Sequence, residues 1–166
     1  MNGERIIPHI PGLRRYARLL TGDSHRADDL VQDTLLRACT KWTLWRPESD
    51  LRAWLFTIMH NVFINQLRAA PPRSVPLDDI VDTGHTEDAA VGIDLGRALA
   101  QLPDDQREVL LMVTVEDFTY AEVARATGVP VGTVMSRLSR GRRRLREAME
   151  GVHEPAEARS HLKVMK

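Results

Sequence analysis

The chain has 166 residues, with lysine plus arginine and aspartate plus glutamate each totalling 23, so its formal net charge is zero. That length allows one medium domain or two small ones with modest cores, and the neutral balance excludes a protein drawn to nucleic acid by bulk charge. The single cysteine, Cys39, excludes an internal disulfide framework and is expected as a small buried thiol in a reducing compartment.

Apolar residues recur at spacings of three and four through much of the chain, and alternating stretches with hairpin turns are missing, which predicts an all-α protein. In Pro11 to Leu20 the helical stripe is Leu13, Tyr16, Ala17 and Leu20, with Gly22 as the stop. Asp23 or Ser24 can cap the next helix, which runs through ADDLVQDTLLRA with Leu30, Thr34, Leu35 and Ala38 inward and Asp29, Gln32 and Asp33 outward. The segment KWTLWRPESD reads as a loop, and its tryptophans, like Trp54, are expected in the core. Ser49 or Asp50 then starts LRAWLFTIMHNVFINQLRAA, where Leu51, Leu55, Ile58 and Val62 form a stripe. Asn61, Asn65 and Arg68 share a neighbouring face.

From 69 to 93 the chain turns to prolines, glycines and acids without sustained periodicity, and is expected to be a linker. Helical spacing resumes in DLGRALAQL, breaks at Pro103, restarts at Asp104 and restarts again at Thr119. Thr119 and Glu122 have the spacing of a capping box. Nine residues after Thr119, Gly128 can take the positive dihedral of a tight turn and Pro130 can open a second helix, so the pattern is helix, short turn, helix. Small Ala124 permits close approach, while Val123, Val129, Val134 and Leu138 can fill the angle. The second helix of such a motif enters the major groove, and Val134, Leu138, Leu145 and Met149 facing inward leave Thr133, Ser136, Arg137 and Arg140 toward DNA. Arg142, Arg143, Arg144 and Arg146 extend the basic surface. Arginine forks discriminate a guanine by roughly 1 to 3 kcal/mol, whereas phosphate contacts add salt-dependent, sequence-blind affinity.

Four segments in order, ADDLVQDTLLRA, LRAWLFTIMHNVFINQLR, ALAQLPDDQREVLLM and TYAEVARATGVPVGTVMSRLSRGRRRLRE, cover most of Leu13 to Glu147. In these the chain resembles an extracytoplasmic-function (group IV) sigma factor, the smallest type of the sigma-70 family of RNA polymerase specificity subunits. The resemblance implies two small helical domains: sigma domain two over 1–68, a flexible linker over 69–93, sigma domain four over 94–150 and a tail over 151–166. It implies core polymerase as partner, with Asp29, Gln32 and Asp33 docking on the β′ clamp helices and further contact to β. It assigns −10 promoter DNA to Asn61 and Asn65, beside which Arg52 and Arg68 are expected to bind phosphate, and −35 DNA to Tyr120, Pro130, Thr133, Ser136, Arg137 and Arg140, with Arg143 of the basic run expected there too. An anti-sigma factor is expected as the controlling partner. Many members carry a basic residue where this chain has Met135, so its −35 preference cannot be borrowed.

A free-standing helix-turn-helix regulator is the main rival reading, and would call for a dimerisation or ligand-binding region in the first half. A sigma-like adaptor that only sequesters an anti-sigma factor would not need the arginines or asparagines. An enzyme fits least: the six histidines lack metal-ligand spacing, no GxxxxGK loop occurs and no nucleophile has an evident base. No cofactor and no metal are therefore expected. The sequence has no apolar run fit to cross a bilayer and no signal-like N-terminal segment, which predicts a cytoplasmic protein.

Overall fold

A short α1 (Asn2–Ile6) and a 3-10 turn (Ile7–His9) lead into α2 (Ile10–Thr21), whose spacing puts Leu13, Tyr16, Ala17 and Leu20 on one side. The computed structural model, which describes residues 2–69 and 86–153, buries all four. Asp23 is the cap of α3 (Ser24–Thr40): its Oδ1 accepts from the N–H of His25 at 2.9 Å and of Arg26 at 3.4 Å. Leu30, Val31, Thr34 and Ala38 line the inner side of α3, and the buried Thr34 hydroxyl donates to the Leu30 carbonyl at 2.7 Å. Cys39 is exposed, contrary to the expectation of a buried thiol, because it falls one residue past the inward Ala38.

After a 3-10 turn (Trp42–Leu44), Asp50 accepts from the Arg52 N–H at 2.9 Å and α4 (Leu51–Ala69) begins. Leu55, Phe56, Ile58, Met59, Val62 and Phe63 are all buried, a wider apolar surface than the single expected stripe. The cause is position: α4 has α3 on one side and α7 of the second half on the other, and a helix covered on two sides needs apolar residues on both. Trp45 is buried and Trp42 and Trp54 are packed against the core, as expected for tryptophan in a small helical protein.

The second half consists of α5 (Thr86–Ala100), α6 (Asp104–Thr114), α7 (Tyr120–Thr127) and α8 (Val131–His153). Helix α5 starts inside the stretch expected to be linker, since the sequence TEDAA brings acids to a helix start followed by good helix formers. The rest of that expected linker, from residue 70 to 85, lies outside the described residues, as does the expected tail from 154 onward.

The two helical groups share one apolar core, with α2 against α5 and α6, and α4 against α7. Phe56 of α4 meets Tyr16 and Phe118 edge-on, both at 5.0 Å between centroids, so one aromatic stack runs from α2 into the turn before α7. Arg107 of α6 reaches back to α2 and donates to the Leu20 carbonyl at 2.8 Å. It also donates to the carbonyls of Leu99 at 2.8 Å and Leu102 at 2.7 Å, at the end of α5. The Leu99 carbonyl accepts from the Leu102 N–H as well, at 3.1 Å, and the buried guanidinium gathers several carbonyls of helix ends at a time.

Candidate nucleic-acid and polymerase interfaces

The capping box forms as read from sequence: Thr119 Oγ1 accepts from the Glu122 N–H at 3.2 Å, and Glu122 Oε2 accepts from the Thr119 N–H at 2.8 Å. Gly128 ends α7 with φ of 72°, a left-handed conformation that favours glycine, and its N–H donates to the Ala124 carbonyl at 2.9 Å. The Pro130 carbonyl then accepts from the Val134 N–H at 3.1 Å, so α8 starts one residue beyond the proline. Val134 and Leu138 are buried in the angle, and Gly141 is buried with its Cα side turned to α6. A Cβ there would lie 3.3 Å from the Gln106 carbonyl oxygen, so the absence of a side chain sets how closely α8 and α6 approach.

This packing presents one outward side of α8. Val131, Gly132, Met135, Ser136 and Arg140 are exposed along it, Thr133 is half-buried, and Arg142, Arg143, Arg144 and Arg146 continue the exposed basic run. Tyr120 and Pro130 are exposed beside the turn. Arg137 differs from its neighbours: it is half-buried, and its Nε lies 3.4 Å from Asp105 Oδ2 on α6. In this conformation it braces α8 against α6, while Arg140 and Arg143 stand clear.

On α3, Asp29, Gln32 and Asp33 are exposed together, and Leu36 beside them is 61% exposed. Gln66 of α4 donates to Asp33 Oδ2 at 2.9 Å, and a shallow groove between the two helices is lined by Arg26, Asp29, Asp33, Gln66 and Ala69. The sequence reading passed over Leu36, although an apolar residue spaced three from Asp33 on an outward face is a legible signal.

Asn61, Asn65 and Arg68 are exposed on one side of α4. Arg52 is not with them. Nine residues separate it from Asn61, about two and a half helical turns, which places it on the opposite side. There its Nη2 donates to Glu116 Oε2 at 2.9 Å and also to the Glu116 carbonyl, and its guanidinium lies 4.3 Å from the Phe118 ring centroid. The other Glu116 oxygen, Oε1, is 3.0 Å from Arg15 Nη2 of α2. In this conformation Arg52, expected to bind phosphate at the −10 element, is held by a carboxylate of the second half.

A second buried pair lies close by. His60 Nδ1 of α4 contacts Glu108 Oε1 of α6, and burial pushes the Glu108 carboxyl above its ordinary range while the His60 hydrogen bond pulls it back. Burial, then the charges of Glu108 and Glu116, push the Tyr16 phenol up, and its hydroxyl has no hydrogen-bond partner among the described residues. Glu108 and Glu116 escaped the sequence reading because acids in DDQREVLLM and VTVEDF look solvated until a second layer covers them. Among the described residues no group of three His, Cys, Asp or Glu side chains could hold a metal, and no helix is long and apolar enough to cross a membrane.

Residues 6–60 match the family described as the Sigma2 domain of PhyR, and residues 93–145 match Sigma-70, region 4. The chain is 38% identical over 149 residues to the ECF RNA polymerase sigma factor EcfG of Rhodopseudomonas palustris (strain TIE-1), covering 84% of this chain and 80% of that one. It is 35% identical over 139 residues to the ECF RNA polymerase sigma factor SigM of Mycobacterium tuberculosis, covering 82% and 71%. Among solved structures, the sigma factor RpoE from Bartonella quintana, in complex with the anti-sigma factor NepR, is similar with a TM-score of 0.75 and 33% identity. That match covers 89% of this chain and 96% of the other.

Proposed function

The chain belongs to the extracytoplasmic-function sigma factors of RNA polymerase, and we propose from its surfaces how the work of such a factor is divided along it. It binds core polymerase and directs initiation at particular promoters. The region over 1–68 docks through Asp29, Gln32 and Asp33 on the β′ clamp helices, with Leu36 adding apolar contact, and the chain also meets β. Asn61 and Asn65 read the melted −10 strand by their amide edges, and Arg68 grips its backbone. The region over 94–150 reads the −35 element as duplex, joined to the first by the stretch 69–93.

On α8, Ser136 and Arg140 face base edges from the first turns, with Thr133, Tyr120 and Pro130 at the entry. Arg143 holds phosphate. Arg137 reaches DNA only by leaving Asp105. Exposed Met135 supplies an apolar surface suited to a thymine methyl, where a basic residue would favour guanine or phosphate. RNA synthesis itself is the polymerase's chemistry, and the factor works in the cytoplasm alongside it. The similarity to a sigma factor solved with NepR supports an anti-sigma factor as the partner that holds this chain in reserve.

The observation that carries this reading is the coexistence of three separate exposed faces in a neutral chain: acidic on α3, amide-bearing on α4 and basic on α8. A free-standing regulator has use for the last only. Purified protein, core polymerase and a genomic promoter library, followed by transcript sequencing, test it. Start sites that need the protein are the expected result; active core enzyme with none would refute it. Tight operator binding without polymerase would instead favour the regulator.

A further inference from the structure

We propose that the free chain latches itself shut through Glu116 with Arg15 and Arg52, and Glu108 with His60, and that the latch must open before both promoter elements can be engaged. The consequence for promoters rests on the sigma-factor reading; the latch itself does not.

The latch joins the two halves at two points. The carboxylate of Glu116, in the turn after α6, holds an arginine of α2 at 3.0 Å and one of α4 at 2.9 Å. Eight residues back along the chain, Glu108 of α6 holds His60 of α4. Both carboxylates are almost wholly buried, Glu116 at 3% and Glu108 at 2% exposure, and their ion-pair partners Arg15, Arg52 and His60 come from the first half. Phe118 packs edge-on to Phe56 and under the Arg52 guanidinium.

Such an interface is chemically fit to part. Buried ion pairs recover in water much of the solvation they gave up, so separating them costs less than their contacts suggest, and what resists opening is the apolar core that the two halves share, Tyr16, Phe56 and Phe118 in it. The Tyr16 hydroxyl, buried beside these acids without a hydrogen bond, gains one on opening. Mixed polar seams of this kind are usual between domains that move.

Geometry supplies the need. Elements centred near −35 and −10 lie about 25 base pairs apart, roughly 85 Å of duplex at about 3.4 Å per step. A compact chain of this length spans only about 40 Å across, from the usual scaling of size with length. The closed form cannot cover both sites. Fully extended, the stretch 70–85 reaches at most about 55 Å, which together with the halves themselves closes the gap. Closure also keeps Arg52 on a protein carboxylate, away from DNA phosphate.

Energy transfer between dyes on the exposed Cys39 and on Ser139→Cys, which lies on an exposed position of α8, reads closure without polymerase or DNA. High transfer is expected in the otherwise unaltered chain, and lower transfer in Glu116→Gln and in Glu108→Gln with helix content retained by circular dichroism. The pair Arg52→Glu with Glu116→Arg should recover part of the transfer that either change alone removes. If about a tenth of unaltered chains are open, Glu116→Gln should raise apparent affinity for core polymerase by up to about tenfold. Low transfer in the unaltered chain, or transfer indifferent to all these changes, overturns the latch. Failure to find protein-dependent start sites would overturn the sigma reading and leave the transfer result standing.

Discussion

Gly141 is where the fold of the second half and its reading surface meet, and enlarging it gives opposing effects whose balance can be worked out. In a helix interior, replacing glycine by alanine stabilises by about 1 kcal/mol through lost unfolded-state freedom. Against this, the new Cβ would sit 3.3 Å from the Gln106 carbonyl oxygen and 3.5 Å from the Gln106 Cβ, so α6 must yield by a few tenths of an ångström. For Gly141→Ala the two effects roughly cancel. Gly141→Val adds two methyl groups facing a backbone that cannot rotate away, and overpacking of this kind costs roughly 1 to 3 kcal/mol. The expected net loss of about 2 kcal/mol corresponds to a fall in Tm of roughly 4 to 8 °C for a chain of this size. Moving α8 off α6 also shifts the exposed Ser136 and Arg140 relative to the rest of the motif, so binding to a −35 duplex should weaken in Gly141→Val and stay near normal in Gly141→Ala. Thermal melts followed by circular dichroism, with duplex binding by fluorescence anisotropy, measure both. A valine variant as stable as the unaltered chain would refute the claim that this close approach sets the helix position.

Arg107→Met should destabilise by about 3 kcal/mol in a denaturant titration, because the buried carbonyls of Leu20 and Leu102 lose the Arg107 donor, while that of Leu99 keeps the Leu102 N–H. Asp33→Lys should abolish binding to core polymerase in a pull-down and leave the melt unchanged, since Asp33 is exposed; a lowered Tm would instead give it a structural role. Arg137→Ala should reduce −35-dependent initiation and keep polymerase binding; equal loss of both would count against divided surfaces.

Local chemistry made several elements legible beforehand. The capping box at Thr119, the turn at Gly128 and the inward stripe of α2 depend on residues within one or two turns of each other, and all three stand in the structure as read. The same holds for Asn61, Asn65 and Arg68, whose common side follows from helical spacing alone.

What needed the tertiary structure was everything decided by covering one half with the other. Arg52 looks like a phosphate ligand in its own helix, yet a carboxylate 64 positions away claims it. Glu108 and Glu116 have the pattern of solvated acids, and burial makes them the pivots of the interface. By itself, then, the sequence determined the helices, their caps, the turn of the reading motif and the family. The partners of Arg52, Glu116, His60 and Glu108 were decided only by packing. Spacing along a helix says which way a side chain points, while what it meets there depends on elements whose approach no local pattern encodes.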